Sequence, residues 1–327
     1  MNSLEPGATT LAHITDAHVA AHGRPTAVLK HRSVEVLRDL VDQVLEQSVH
    51  GVLFGGDSVD NRGHGAADLE AFLSAVEPIE GRWVAQLGNH EAASPRPGRL
   101  GKHDFARAFA GRGVGPRAYD FSVVYGDVRV IGIDTTLIGS PSGFVTPESM
   151  RFLAREVAAA EERHVVVLGH HPLHRAWEPY ALDSWDREYL VANRAAVTAL
   201  LANAPEVRAY LCGHHHASRI QRVGGRGASG GFFHVQTASP VAFPHTSRLL
   251  TFTETAMHVR PLVPRIEGLL EEGKEWVATG RKARRYATLG TERSFVDYLA
   301  GDLKDNEAVL YFDPPSEGRR EGPRARI

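Results

Sequence analysis

The stretch VVVLGHHP, residues 165–172, decides how the rest of the chain is read. Four apolar residues, three of them β-branched, form a run of strand length that reads as buried on both faces. The run stops at Gly169 and delivers two imidazoles, His170 and His171, side by side. The same layout recurs four times. A strand over 10–15 leads to Asp16-Ala17-His18, one over 52–55 to Gly56-Asp57, one over 83–87 to Gly88-Asn89-His90-Glu91, and one over 209–212 to Gly213-His214-His215-His216. Between these strands Val34, Leu37, Val41, Val44 and Leu45 recur at helical spacing, predicting a helix over 31–48. Thr146 followed by Pro147 reads as an N-cap and first helical residue, opening a helix with Met150, Leu153 and Val157 on one face.

Strands alternating with helices imply a sheet covered on both faces. Tyr119, Phe121, Val123 and Tyr125 alternate with more polar residues, and a Gly126-Asp127 turn then predicts a hairpin into 127–134. A second strand meander is expected over 219–223, 232–237, 248–252 and 256–260. The fold expected is therefore α/β in a four-layer α+β sandwich. Two mixed sheets pack together, helices flank them, and the motifs sit at the strands' carboxyl ends, where open sheets of this kind bind ligands.

Composition narrows the function. The chain has 327 residues, 37 Lys and Arg against 39 Asp and Glu, and a net charge of −2. That balance argues against nucleic-acid binding by bulk electrostatics and against a polybasic membrane-surface protein. No apolar run approaches the ~20 residues needed to cross a bilayer. The start, MNSLEPGATTLAHIT, has neither a basic region nor an apolar core of a signal peptide, so a cytoplasmic protein is expected. Cys212 is the single cysteine, which excludes an intrachain disulfide and Cys-rich zinc sites. Histidine is the residue in excess, with 18.

The five motifs together offer carboxylates, imidazoles and one amide. That mixed nitrogen and oxygen set suits Mn, Fe or Zn, where an all-oxygen set would suit Mg or Ca. Asp16 and His18, two apart on a chain leaving its strand, can reach one cation from the same side, and His214 and His216 share that spacing. Asp57 can lend one oxygen to each of two cations. Two cations about 3.5–4 Å apart form the clamp used for in-line phosphoryl displacement.

In this combination and order the motifs resemble those of the calcineurin-like metallophosphoesterase superfamily, whose pattern is Asp-x-His, Gly-Asp, Gly-Asn-His-(Asp/Glu), Gly-His and Gly-His-x-His. Gly56-Asp57-Ser58-Val59-Asp60 and Gly169-His170-His171-Pro172 look most like the class III cyclic-nucleotide phosphodiesterase and glycerophosphodiesterase branch. The resemblance implies two bound transition metals of the Mn, Fe or Zn kind. Asp16, His18 and His216 would hold one, Asn89, His170 and His214 the other, and Asp57 would bridge them. His90 would face the phosphate and assist the leaving group, while His171, Glu91 and His215 would support the ligands. A hydroxide bridging the metals would attack a small organic phosphodiester of the cyclic-nucleotide or glycerophosphodiester type. A phosphomonoesterase, and more remotely a metal-free scaffold, are the alternatives.

Substrate contacts are expected from Arg62, from His174 and Trp177 in the loop after Gly-His-His-Pro, and from Phe243 and His245 overhanging the metals. With Arg96, Arg99, Lys102, Arg107, Arg112 and Arg117 in the insertion over 92–119, they suggest an aromatic wall and a basic rim. The catalytic domain is expected over 1–260. A helical extension over 261–314, marked by Leu269, Leu270, Trp276, Phe295 and Leu299, would serve dimerisation or cap the site. A disordered tail is expected over 315–327.

Overall fold

A computed structural model describes residues 7–177, 189–224, 231–288 and 292–312; the expected tail at 315–327 lies outside them. Two six-stranded mixed sheets form the centre. The first contains β1 (Thr9–Ile14), β2 (Gly51–Phe54), β3 (Trp83–Ala85), β10 (Ser247–Phe252), β11 (Ala256–Leu262) and β12 (Ala308–Tyr311), in the order β12-β11-β10-β1-β2-β3. The second contains β4 (Phe121–Tyr125), β5 (Val128–Gly132), β6 (His164–Leu168), β7 (Val207–Cys212), β8 (Arg219–Val223) and β9 (Phe232–Gln236), in the order β4-β5-β6-β7-β9-β8.

β6 shows why the 165–168 run is unbroken. Val166 and Leu168 belong to the large cluster that also contains Leu11, Leu53 and Leu249 of the first sheet. Val165 and Val167 point the other way, into a second cluster with Leu153 and Val157 of α4 (Pro147–Ala158) and Val197 and Leu201 of α5 (Arg194–Ala202). The period of two puts alternate residues into different cores, so neither face tolerates a polar side chain. The first sheet is covered by α1 (Ser33–Glu46), through Val36, Leu37, Leu40 and Val44, and by α2 (Gly65–Val76), through Phe72 and Val76, and α3 (Lys102–Ala108) adds Phe105 to the same cluster. Thr146 caps α4 as its sequence predicts, with its side chain accepting from the Ser149 N–H at 3.1 Å; such a cap contributes about 1 kcal/mol.

β1–β2, β2–β3, β5–β6, β6–β7 and β7–β9 are parallel, so the five motif-bearing strands β1, β2, β3, β6 and β7 all end on one edge. The expected second meander is divided. β8 and β9 pair with each other in the second sheet, whereas β10 returns antiparallel to β1 and begins a new hairpin with β11. The connection between them crosses the motif edge, where the Ser239 hydroxyl donates to the Asp16 carbonyl at 2.7 Å.

After Leu262 the chain forms α6 (Leu269–Thr279), α7 (Arg281–Ala287), α8 (Phe295–Ala300) and α9 (Leu303–Asn306), then returns as β12 beside β11. Tyr286, Phe295, Tyr298 and Leu299 bury themselves in a third cluster with Ala176, Ala217 and Phe243. Among the described residues no helix is long and apolar enough to cross a membrane.

Candidate metal centre

Asp16 and Asp57 each spend one oxygen on neighbouring donors and turn the other toward the shared space. Asp16 Oδ2 accepts from the Thr15 hydroxyl at 2.7 Å and the His214 N–H at 2.9 Å, while its buried Oδ1 has no hydrogen-bond donor. Asp57 Oδ1 accepts from the His90 N–H at 2.8 Å. Its Oδ2 then stands 3.5 Å from His170 Nε2 and 3.9 Å from both His18 Nε2 and His90 Nε2. His18 Nε2 and His216 Nε2 face each other at 3.1 Å, with Asp16 Oδ1 3.3 Å from the latter. His170 Nε2 lies 3.3 Å from Asn89 Oδ1, and the His170 and His214 rings are 5.0 Å apart.

Local backbone strain makes this convergence possible. Asp16, His18, Asp57, His214 and His216 all have left-handed φ, between 41° and 64°. Asp and His tolerate that region better than β-branched residues, yet each such position costs of order 1 kcal/mol and must be held by its surroundings. Two glycines keep the space open. A Cβ on Gly213 would lie 2.1 Å from Asp16 Oδ2, and one on Gly88 would lie 2.2 Å from Asp57 Oδ1.

Unpaired buried oxygens and opposed imidazole nitrogens are costly unless something positive lies between them. Protonation shows the same demand. Burial lowers the pKa of His170, but Asp57 and Asp16 outweigh it and hold the imidazole up at about 9. Burial also opposes ionisation of Asp57, and the surrounding His90, His170 and His18 nevertheless keep it well below the usual carboxylate range. Burial, reinforced by neighbouring histidines, keeps His18 and His171 neutral. The donor set of imidazole, carboxylate and amide therefore fits transition-metal cations. Two groupings, Asp16–His18–His216 and Asp16–Asp57–His170, each bring their ligand atoms within 4.8 Å of one another.

The calcineurin-like phosphoesterase family model matches residues 9–218, the segment that contains all five motif loops. The chain belongs to that family. The family is dinuclear and metal-dependent, and this chain is a metal-dependent phosphoester hydrolase. It is 22% identical over 218 residues to the 3′,5′-cyclic adenosine monophosphate phosphodiesterase CpdA of Vibrio vulnificus, covering 66% of this chain and 72% of that one. It is also 22% identical over 213 residues to a probable glycerophosphodiester phosphodiesterase GpdQ of Arcobacter nitrofigilis, covering 63% and 71%. Its fold is shared with a dimetal phosphatase from Danio rerio, at a TM-score of 0.59 and 17% identity over 77% of this chain and 95% of that one.

Other predicted residues divide sharply. His171 shares the pocket with His170 and His214, but Thr135 Oγ1 at 2.8 Å and the Pro141 carbonyl at 3.1 Å occupy its two nitrogens. Glu91 is fully buried and accepts from three N–H groups, of Asp57 at 2.9 Å, Gly88 at 2.8 Å and Val59 at 3.1 Å. Burial and the Asp57 charge push its pKa up to about 7. Arg62 reaches the centre, with Nη2 3.3 Å from His90 Nε2.

Four substrate contacts expected from sequence have other partners. His174 Nε2 meets Thr198 Oγ1 at 3.2 Å and its ring packs on His234. The Trp177 indole donates to the Tyr298 carbonyl at 3.1 Å and lies between the guanidiniums of Arg219 and Arg293, each 3.8 Å from its ring centre. Phe243 is buried in the third cluster, and His245 is wedged beneath α6, where a Cβ on Gly273 would lie 2.0 Å from its Nε2. Phe243 packs with Val277 of α6 and with Ala217, which follows His216.

Sequence reading missed Tyr298 and Tyr189. The Tyr298 hydroxyl is 2.8 Å from His215 Nε2, and the Tyr189 ring stacks on His215 at 4.6 Å and 17°. Their distance along the chain leaves no local signal. Thr15 and Thr135 were also missed, although a hydroxyl beside Asp16 was readable.

Proposed function

We propose that this chain is a dinuclear phosphodiesterase for a small organic phosphodiester, with Mn, Fe or Zn in its centre. The single observation that carries this reading is Asp57 Oδ2, ringed by the Nε2 atoms of His18, His90 and His170 within 3.9 Å. Asp16, His18 and His216 would hold one cation and Asn89, His170 and His214 the other, with Asp57 shared. Two such cations supply an acidified water as nucleophile and neutralise charge on the phosphoryl oxygens.

His90 has a different task. Its Nδ1 lies 2.7 Å from the Asp60 carbonyl, which fixes the proton there and leaves Nε2 facing the substrate side. His90 and Arg62 line one cavity, and Nε2, which carries a proton only when the ring is an imidazolium, would be the atom that hands it to a departing oxygen. Glu91 orients the Asp57 loop through three backbone donors, and the Thr15 hydroxyl fixes which Asp16 oxygen faces inward. The similarity to CpdA and GpdQ supports a diester substrate.

The test is kcat/KM for bis(p-nitrophenyl) phosphate against p-nitrophenyl phosphate at one metal loading and one pH. A diester preference is expected. A tenfold preference for the monoester, about 1.4 kcal/mol in transition-state stabilisation, would reject the diester assignment.

A further inference from the structure

Beside Asn89 and His90 lies a cavity of about 290 Å³ whose far wall is cationic. Arg62, Arg96 and Arg99 line it. The one carboxylate in the lining, Asp60, is already paired with Lys30. Among the described residues neither Arg96 nor Arg99 has a carboxylate partner, so their charges are uncompensated.

The wall is built rather than loose. Arg96 stands between Pro95 and Pro97, which restrict the backbone on both sides. The Asn61 side chain clips the loop down, donating to the Leu100 carbonyl at 2.9 Å and the His90 carbonyl at 2.8 Å and accepting from the Leu100 N–H at 2.8 Å. The Gly65 N–H donates to the Gly98 carbonyl at 2.8 Å, and a Cβ on Gly98 would lie 2.2 Å from the Gly63 carbonyl. The opposite wall is also tied down, with the Gly139 N–H donating to the Ala92 carbonyl at 2.8 Å. One residue, Asn61, thus fixes the distance between the proton-donating histidine and the arginine loop.

We propose that this cavity is an anion subsite for a phosphate carried by the leaving group of the substrate. The inference rests on the diesterase reading, because it is the face of His90 that makes this the leaving-group side. Arg96 is exposed and Arg99 half-buried on a backbone that is tied down, and guanidiniums gathered in this way can match phosphate oxygens in pairs. The preferred substrates are phosphodiesters with a second, terminal phosphate. In a 5′-phosphorylated dinucleotide such as pApA, water oxygen bonds to the internal phosphorus and the bond to the 3′ oxygen breaks. That oxygen leaves with the electron pair and takes a proton, giving two molecules of adenosine 5′-monophosphate.

The experiment compares pApA with ApA, which lacks the terminal phosphate, on metal-loaded protein, and repeats the pair on Arg96→Ala/Arg99→Ala. The expected kcat/KM ratio favours pApA by about tenfold or more and collapses toward unity in the double variant. A second arm measures binding of adenosine 3′,5′-bisphosphate to the metal-free chain, with circular dichroism as the folding control. Affinity is expected to fall at least about tenfold in the variant and to weaken with salt. Equal rates for pApA and ApA, or a preference that survives the double substitution, overturn the subsite. Failure to hydrolyse bis(p-nitrophenyl) phosphate at all would instead strike the diesterase reading, and the binding arm would still decide the subsite.

Discussion

The two sides of the metal centre are built on different principles. On one side, five loops leave parallel strands, and each donor sits within two to four residues of the strand that carries it. The arginine loop and the tyrosines around His215 instead lie outside the strand-end motifs. Tyr298 is 83 residues from the histidine it bonds. The first side is rigid because strands buried on both faces cannot shift without opening a core. The second is held by side-chain clips such as Asn61 and by aromatic packing. Chemistry is concentrated where the backbone is strained and over-determined, and adjustment to substrate is left to what packs around it.

Substitutions can break this division, and the largest effect should come from Asp57. Asp57→Ala is expected to lower kcat by about 10³-fold or more and to leave fewer than two metals per chain by elemental analysis. Two metals and full activity in that variant would show that the strand-end loops are not the centre. His90→Ala should retain both metals yet lose ~10²-fold in turnover for poor leaving groups, and less for nitrophenol esters. Loss of a metal instead would move His90 into the ligand set.

Glu91→Gln sharpens the picture of how the strained loops are held. An amide cannot accept from all three N–H groups that the carboxylate holds, so metal affinity should fall roughly 10–100-fold, read by competition with a chelator. Unchanged affinity would mean that the Asp57 loop is held by its own backbone.

The smallest effect is expected on the far side. Tyr298→Phe removes one hydrogen bond of about 1 kcal/mol to His215 and keeps the ring in its cluster, so metal affinity should drop only several-fold. A loss as large as that of Glu91→Gln would erase the distinction between the two sides, since the C-terminal helices would then hold the centre as firmly as the strands do.

Much of this protein was legible in one dimension. Alternating strands and helices and the edge that carries the motifs follow from short-range pattern, because a strand end and a glycine set local direction within a few residues, and the seven candidate ligand positions follow from the family resemblance those motifs carry. Even the role of Gly88 and Gly213 was foreseeable as close approach, though only the coordinates show that a Cβ would strike Asp57 and Asp16. The side chains expected to touch substrate, His174, Trp177, Phe243 and His245, have partners within the fold that the sequence did not announce. Each is of a suitable type in a suitable loop, yet a side chain faces whichever surface lowers its free energy most. For Phe243 and His245 that surface was α6, and for Trp177 the pair Arg219 and Arg293. Arg62, expected near the substrate, does stand beside the centre, 3.3 Å from His90. Sequence determined which donors exist and along which edge they gather, since those depend on strand period and local turns. Which oxygen of Asp16 and of Asp57 turns to the shared space, and that Tyr298 stands behind His215, were decided by tertiary structure alone. These depend on packing between segments that only the folded chain brings together.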